Sequence, residues 1–235
     1  MTKKSTLFVA ACTALFTLTT NNLQAQMKSA PTKQAYLSTG MDGYILSTAI
    51  NNAGLKTAGS SIGTPRFTAF FHLGVNVNYD FNKNIGMYTG LGIKNIGFIE
   101  KFDLTDYTVK RRVYTVGIPI GVKIGNVKHG SYFLAGGGVD FPFNYKEKGF
   151  VKRNDKEKFN EWFSNRTPAA MPYVFVGMHM RPLLTFKVQY YPGNFMNSDF
   201  QQQDASGFIY KPYQGYDVKL LLFTAGFDIS YKPKK

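Results

Sequence analysis

Arg66-Phe67-Thr68-Ala69-Phe70-Phe71-His72-Leu73-Gly74-Val75-Asn76-Val77-Asn78-Tyr79-Asp80-Phe81 alternates along its whole length. The odd positions, Phe67, Ala69, Phe71, Leu73, Val75, Val77, Tyr79 and Phe81, are apolar or aromatic. The even positions are Arg66, Thr68, Phe70, His72, Gly74, Asn76, Asn78 and Asp80, and only Phe70 among them is apolar. A helix would mix these two sets, because its faces repeat every three to four residues. A strand separates them into one greasy and one polar face. The stretch also outruns the five or six residues usual in soluble sheets. A tilted strand needs roughly 9–11 residues to cross hydrocarbon.

The pattern recurs outward from this stretch. Leu184, Phe186, Val188 and Tyr190 alternate with Thr185, Lys187, Gln189 and Tyr191. Tyr114, Val116, Ile118, Ile120, Val122 and Ile124 alternate with Thr115, Gly117, Pro119, Gly121 and Lys123. Leu221, Phe223, Ala225, Phe227, Ile229 and Tyr231 carry a greasy face near the end of the chain. Strands are expected at 35–49, 66–81, 85–99, 110–124, 131–146, 170–181, 184–193 and 214–231. The connections between them run long and short in turn. The long ones are 50–65, 100–109, 147–169 and 194–213; the short ones are Asn82-Lys83-Asn84, Gly125 to Gly130 and Arg181-Pro182-Leu183. Outer-membrane barrels have long extracellular loops and short periplasmic turns. The expected fold is therefore all-β: an eight-stranded antiparallel up-and-down transmembrane β-barrel, with both termini in the periplasm.

Composition agrees. Of 235 residues, 44% are hydrophobic, 16% aromatic and only 18% charged, which excludes a disordered tail or a coiled coil. Tyr (15), Phe (21) and Gly (23) favour strands and turns. The single cysteine, Cys12, allows no disulfide within the chain and no thiolate zinc site.

Residues 1–25 read as a signal peptide. Lys3 and Lys4 are the basic start, Leu7 to Leu18 the apolar core, and Ala25 the small residue before a cut expected between Ala25 and Gln26. The run is too short for a membrane-spanning helix. Val9-Ala10-Ala11-Cys12 has the look of a lipoprotein box, but it leaves too few apolar residues before the cysteine for a signal core. The expected organisation is 1–25 signal peptide, 26–34 a short periplasmic segment, 35–231 the barrel and 232–235 a basic tail. The expected location is the outer membrane of a Gram-negative bacterium.

Three segments also carry a family resemblance. The Gln24-Ala25-Gln26 junction, Tyr79-Asp80-Phe81-Asn82 leading into Gly86-Met87-Tyr88-Thr89-Gly90-Leu91-Gly92, and Tyr114-Thr115-Val116-Gly117-Ile118-Pro119-Ile120-Gly121-Val122-Lys123 resemble the PorT-like outer-membrane β-barrel family. The resemblance spans the chain after residue 25. It implies an eight-stranded barrel without an assigned activity; the family's namesake is linked to protein secretion and surface display. Barrels of this kind usually end on an aromatic residue, whereas Tyr231 is followed here by Lys232-Pro233-Lys234-Lys235.

The polar faces should point into the barrel, with Asp42, His72, Asn76, Asp80, Lys94, Lys123, Lys187, Gln189, Lys219 and Asp228 as interior candidates. Eight strands enclose just enough room for side chains, so a packed polar plug is expected rather than a conducting pore. An N-cap at Asn154 with Glu157 at the capping-box position predicts a loop helix to Phe163. It would place Phe159, Trp162 and Phe163 on one face, folded over the mouth or docked on a partner or membrane. Lys148, Lys152, Arg153, Lys156 and Lys158 are candidates for lipopolysaccharide phosphates, though Asp155, Glu157 and Glu161 dilute them. Gly86, Gly90, Gly92 and Gly136-Gly137-Gly138 suit close packing against bulky neighbours within strands.

The formal charge of +14 raises nucleic acid as a partner; a secreted chain without a binding motif excludes it. The expected partners are outer-membrane lipid and lipopolysaccharide, the barrel-insertion machinery during biogenesis, and an envelope or secretion protein. No cofactor, metal site or catalytic residue is expected. Two alternatives stay open. One is a lipid-modifying outer-membrane enzyme using His129 and Ser131, although these fall at an expected periplasmic turn. The other is a soluble periplasmic lipocalin-like barrel with its apolar face inward around a ligand.

Overall fold

The computed structural model describes residues 34–50, 60–69, 72–102, 107–151 and 155–231. The expected signal peptide and segment 26–33, Lys152, Arg153, Asn154 and the tail 232–235 lie outside these residues. The described chain is all-β, with strand segments β1 (Gln34–Thr39), β2 (Met41–Ala49), β3 (Ser60–Thr64), β4 (Arg66–Ala69), β5 (Leu73–Asp80), β6 (Ile85–Phe102), β7 (Tyr107–Asn126), β8 (Ser131–Val151), β9 (Asp155–Trp162), β10 (Met171–Met180), β11 (Leu184–Tyr191), β12 (Gln202–Gln203), β13 (Ile209–Tyr210), β14 (Leu220–Phe227) and β15 (Ser230–Tyr231). Among the described residues, thirteen of these form one sheet and β12 and β13 a separate hairpin.

Every pairing is antiparallel, and the sheet curls until its ends meet on the first strands. β1 pairs with β15 on one side (Leu37↔Tyr231) and β5 on the other (Leu37↔Val77). β2 does the same between β14 (Leu222↔Ser47) and β4 (Leu46↔Phe67). Between these run β5, β6, β7, β8, β10, β11 and β14, each paired with its neighbour.

The sheet's two faces settle the orientation. In the stretch that decided the fold, Phe67, Leu73, Val75, Val77 and Tyr79 are exposed, while Arg66, Thr68, His72, Asn78 and Asp80 are buried. On β7 the exposed set is Ile118, Ile120, Val122 and Ile124; on β10 it is Val174, Val176, Met178 and Met180. The apolar face is outside and the polar face inside. The lipocalin-like alternative requires the reverse and is thereby discarded.

β6, β7 and β8 run 18, 20 and 21 residues, further than a membrane crossing requires. Much of what reads as long loop is therefore sheet. β3 pairs with the far end of β6 (Ser60↔Phe102), and 147–151 continues β8.

The loop helix expected over 154–163 is a strand. β9 lies along the end of β8 with Lys148↔Lys158, Glu147↔Phe159 and Asn144↔Trp162 in register. A helix this short is marginal in water. A capping box contributes locally, whereas pairing with β8 adds a ladder of backbone hydrogen bonds and cross-strand contacts. Phe159, Trp162 and Phe163 therefore do not share a helical face. Phe159 packs edge-on against Tyr145, with centroids 6.3 Å apart, Trp162 stacks on Phe143 at 5.9 Å, and Phe163 is an exposed turn residue.

Close approach explains two glycines. A Cβ on Gly121 would lie 2.5 Å from the Tyr88 ring and 2.9 Å from Phe175, and one on Gly138 would lie 2.6 Å from the Tyr173 hydroxyl. Interior rings occupy the space those side chains would take.

Candidate functional site: the polar interior and its cap

Period-two alternation delivers the even residues of β4 and β5 and the odd residues of β7 to the inside, where they meet as ion pairs. Lys123 Nζ lies 2.6 Å from Asp80 Oδ1 and donates to the Tyr36 hydroxyl at 2.9 Å and Asn78 Oδ1 at 3.1 Å. Asp42 accepts from His72 Nδ1 at 2.5 Å through one oxygen and faces Lys187 Nζ at 2.9 Å through the other. Lys94 Nζ lies 2.8 Å from Asp140 Oδ2 and donates to the Tyr191 hydroxyl at 3.0 Å and Gln189 Oε1 at 3.4 Å. The Tyr191 hydroxyl donates to Asp140 Oδ2 at 2.6 Å, and Lys94 sits 3.8 Å over the Tyr173 ring. A lone ion in such surroundings would be costly; pairing and hydrogen bonding make these groups tolerable.

The structure thus brings together Asp42, His72, Asp80, Lys94, Lys123, Lys187 and Gln189. Asn76 and Asp228 line the two small spaces between these groups, each about 30 Å³. Lys219 stands apart at the mouth, beside Asp217 at 3.4 Å. Asp140, Tyr191, Tyr173, Tyr36 and Asn78 belong to the networks but were not among the sequence candidates.

A second layer closes the long-loop end. Arg111 Nη2 lies 3.0 Å from Glu100 Oε2, and its Nη1 lies 2.8 Å from Glu147. The Tyr216 hydroxyl donates to Glu100 Oε1 at 3.0 Å and that of Tyr145 to Glu147 at 2.7 Å. Burial and the Glu100 carboxylate push the Tyr216 phenol up to about 12. Above and beside this layer, Phe195, Met196, Tyr213 and Val218 from segment 192–219 bury against Ile96, Phe98 and Val113. Phe98 and Phe195 meet edge-to-face at 5.4 Å. An open cavity of about 240 Å³ beside this cap is lined by Met171, Phe195, Met196 and Leu220 together with Asn194, Asn197 and Ser198.

His129 and Ser131 are exposed in the short turn after β7. Turn chemistry accounts for the His129-Gly130-Ser131 spacing. The Asn126 side chain accepts from the His129 N–H at 3.2 Å, and Gly130 takes φ 75°, which glycine adopts without strain. Among the described residues no group of three His, Cys, Asp or Glu side chains could hold a metal ion.

The family model for the outer membrane protein β-barrel domain matches residues 24–199. The chain belongs to that family. An outer-membrane barrel of this family resides in the outer membrane of a Gram-negative bacterium. No curated protein matches the chain. Solved structures similar to it include the attachment invasion locus protein Ail of Yersinia pestis, in complex with the heparin analogue sucrose octasulfate (15% identity, 84% of this chain and 99% of that one, TM-score 0.33). Neisserial surface protein A is similar at 10% identity over 84% of this chain and 97% of its own, with TM-score 0.40. OprG of Pseudomonas aeruginosa is similar at 14% identity over 88% and 99%, with TM-score 0.37.

Proposed function

We propose that this protein is a non-enzymatic barrel of the cell envelope with a structural or interaction role, working through its surfaces rather than through its lumen. One observation carries the reading: the interior is filled by paired charges and capped by an apolar layer, while the outward face is greasy.

In this reading the strand segments merge into eight membrane strands: β1 with β2, β4 with β5, then β6, β7, β8, β10, β11 and β14 with β15. The short turns lie in the periplasm and the extended ends of β6–β9 outside the cell. The chain reaches the membrane after cleavage between Ala25 and Gln26. Its partners are the insertion machinery, the surrounding lipid and lipopolysaccharide, and an envelope protein. The PorT-like resemblance makes an accessory role in protein secretion the narrower form of the proposal.

Fractionation of cells expressing the full chain, with boiled and unboiled gel migration, tests the reading. The outer-membrane fraction is expected to hold a heat-modifiable band. A soluble periplasmic product, or a membrane product whose migration ignores heating, overturns it.

A further inference from the structure

In sequence, the lysines of 146–158 are interspersed with Glu147, Asp155, Glu157 and Glu161. In the sheet, several of the described side chains divide between the two faces. Arg111, Glu147 and Tyr145 meet on the inner face, as do Glu161 and Arg166, with Arg166 also over the Phe159 ring. The alternate positions carry Lys110, Arg112, Lys146, Lys148 and Lys158. They face outward with Lys101 of β6 on the same side.

The register aligns these cations. Lys110, Lys148 and Lys158 form one rung across β7, β8 and β9, and Arg112 and Lys146 form the next. Residues directly opposed on one face have Cβ atoms roughly 5 Å apart, and like charges there destabilise the pair. A bulge produces the alignment. The β7–β8 register shifts between Tyr114↔Asn144 and Thr115↔Pro142, leaving Phe143 unmatched. Asp140 faces inward below the bulge and Glu147 faces inward above it, so odd and even positions of β8 have exchanged faces. Without that shift, Lys146 and Lys148 would point into the cap. Bulges are a recurrent means of re-aiming side chains.

The patch is continuous with the apolar belt. Just below it Tyr114, Phe143 and Trp162 pack side by side, with centroids 6.3 and 5.9 Å apart. Lys146 lies over the Tyr114 ring at 5.0 Å and Lys148 over Phe150 at 4.8 Å. Such aromatics mark a membrane interface. At about 3.4 Å per residue, Arg112 and Lys110 stand roughly 7 and 14 Å above Tyr114 along β7, at headgroup height.

We propose that this outward face of β6–β9 is a binding surface for phosphate-bearing lipid headgroups of the outer leaflet. The proposal rests on the membrane-barrel reading above. Headgroup phosphates meet the aligned cations of the two rungs, and the aromatic row beneath fixes the depth at which they are met.

The sole tryptophan, Trp162, lies at the patch and reports on it. Full-length protein in phosphatidylcholine proteoliposomes is titrated with bisphosphorylated lipid A and with the same lipid A stripped of phosphate. Wild type is expected to give a saturable Trp162 response to the phosphorylated lipid and a far weaker one to the stripped form. A basic residue near a membrane surface contributes about fivefold in affinity, so K110Q/K148Q/K158Q is expected to lose on the order of a hundredfold. Heat-modifiable migration of both proteins separates loss of the patch from loss of the barrel. Equal responses to both lipids, or an unchanged triple variant that remains heat-modifiable, overturns the proposal. Soluble heparin bound in preference to phosphorylated lipid A also overturns it, since the partner would then be a free polyanion.

Discussion

Asp140 shows what single residues contribute to this interior. It is fully buried and receives both Lys94 and the Tyr191 hydroxyl. Removing one partner of a buried pair leaves the other charge uncompensated, at a cost of about 3–5 kcal/mol, whereas neutralising both is far milder. Asp140→Asn is expected to lower stability by about 3 kcal/mol in urea unfolding from lipid vesicles. Adding Lys94→Met should recover most of that loss; a double variant no better than the single would show that the pair is not what Asp140 supplies. Tyr216 makes a second residue-scale prediction. Its folded-state pKa lies above that of an unfolded phenol, so its contribution to the cap is complete below about pH 10 and is lost as pH rises through about 12. Tyr216→Phe is expected to remove one phenol transition near pH 12 from the tyrosinate absorbance titration. At this scale the sequence was legible where alternation was clean: Asp42, His72, Asp80, Lys94, Lys123 and Gln189 all fall inside. It was not legible at Glu100 and Glu147, which the loop-length pattern assigned to connections, nor at Arg111, which lies within the expected strand 110–124 but was not singled out. Asp140 lay hidden among glycines that carry no polarity signal.

At the scale of elements, the strand expectations fall within a few residues of the structure wherever a strand crosses the apolar belt. β10 and β11 are expected at 170–181 and 184–193 and run Met171–Met180 and Leu184–Tyr191. The differences lie beyond the belt. There β6, β7 and β8 continue as sheet with a buried inner face and an outer face carrying Lys101, Lys110 and Lys148, and apolar alternation no longer marks the strands. β9 is the sharpest case, since a capping box and an aromatic spacing of three and four compete there with hairpin pairing onto the end of β8, whose strand character the sequence pattern does not reveal. Its register is testable because the only native cysteine lies at position 12. Lys148→Cys with Lys158→Cys is expected to form an intramolecular disulfide on mild oxidation, as opposed positions suit that bond. Lys148→Cys with Phe159→Cys, one residue out of register and on the other face, should not. Efficient crosslinking of the second pair would contradict the strand.

At the scale of the whole molecule, ion pairs, glycine-seated rings and the apolar cap act together to fill the space the sheet encloses. In planar bilayers the protein is expected to show no steady ion conductance; reproducible single-channel steps would mean that the lumen opens and that the surface-based role is wrong. The alternation itself could not separate a membrane barrel from its inverted soluble counterpart, because two phases of one pattern are symmetric until packing assigns an inside. One feature of that packing reaches into assembly. The pairs join residues far apart along the chain: Asp42 on β2 to Lys187 on β11, Lys94 on β6 to Asp140 on β8 and to Tyr191. A sheet lacking its last strands would hold these charges in hydrocarbon without their counterions. Half-built intermediates are thus penalised in proportion to how much lipid they meet, and neutrality arrives only when early and late strands come together. The polar interior therefore works as a proofreader of its own construction, making insertion cooperative and misregistered closure self-rejecting.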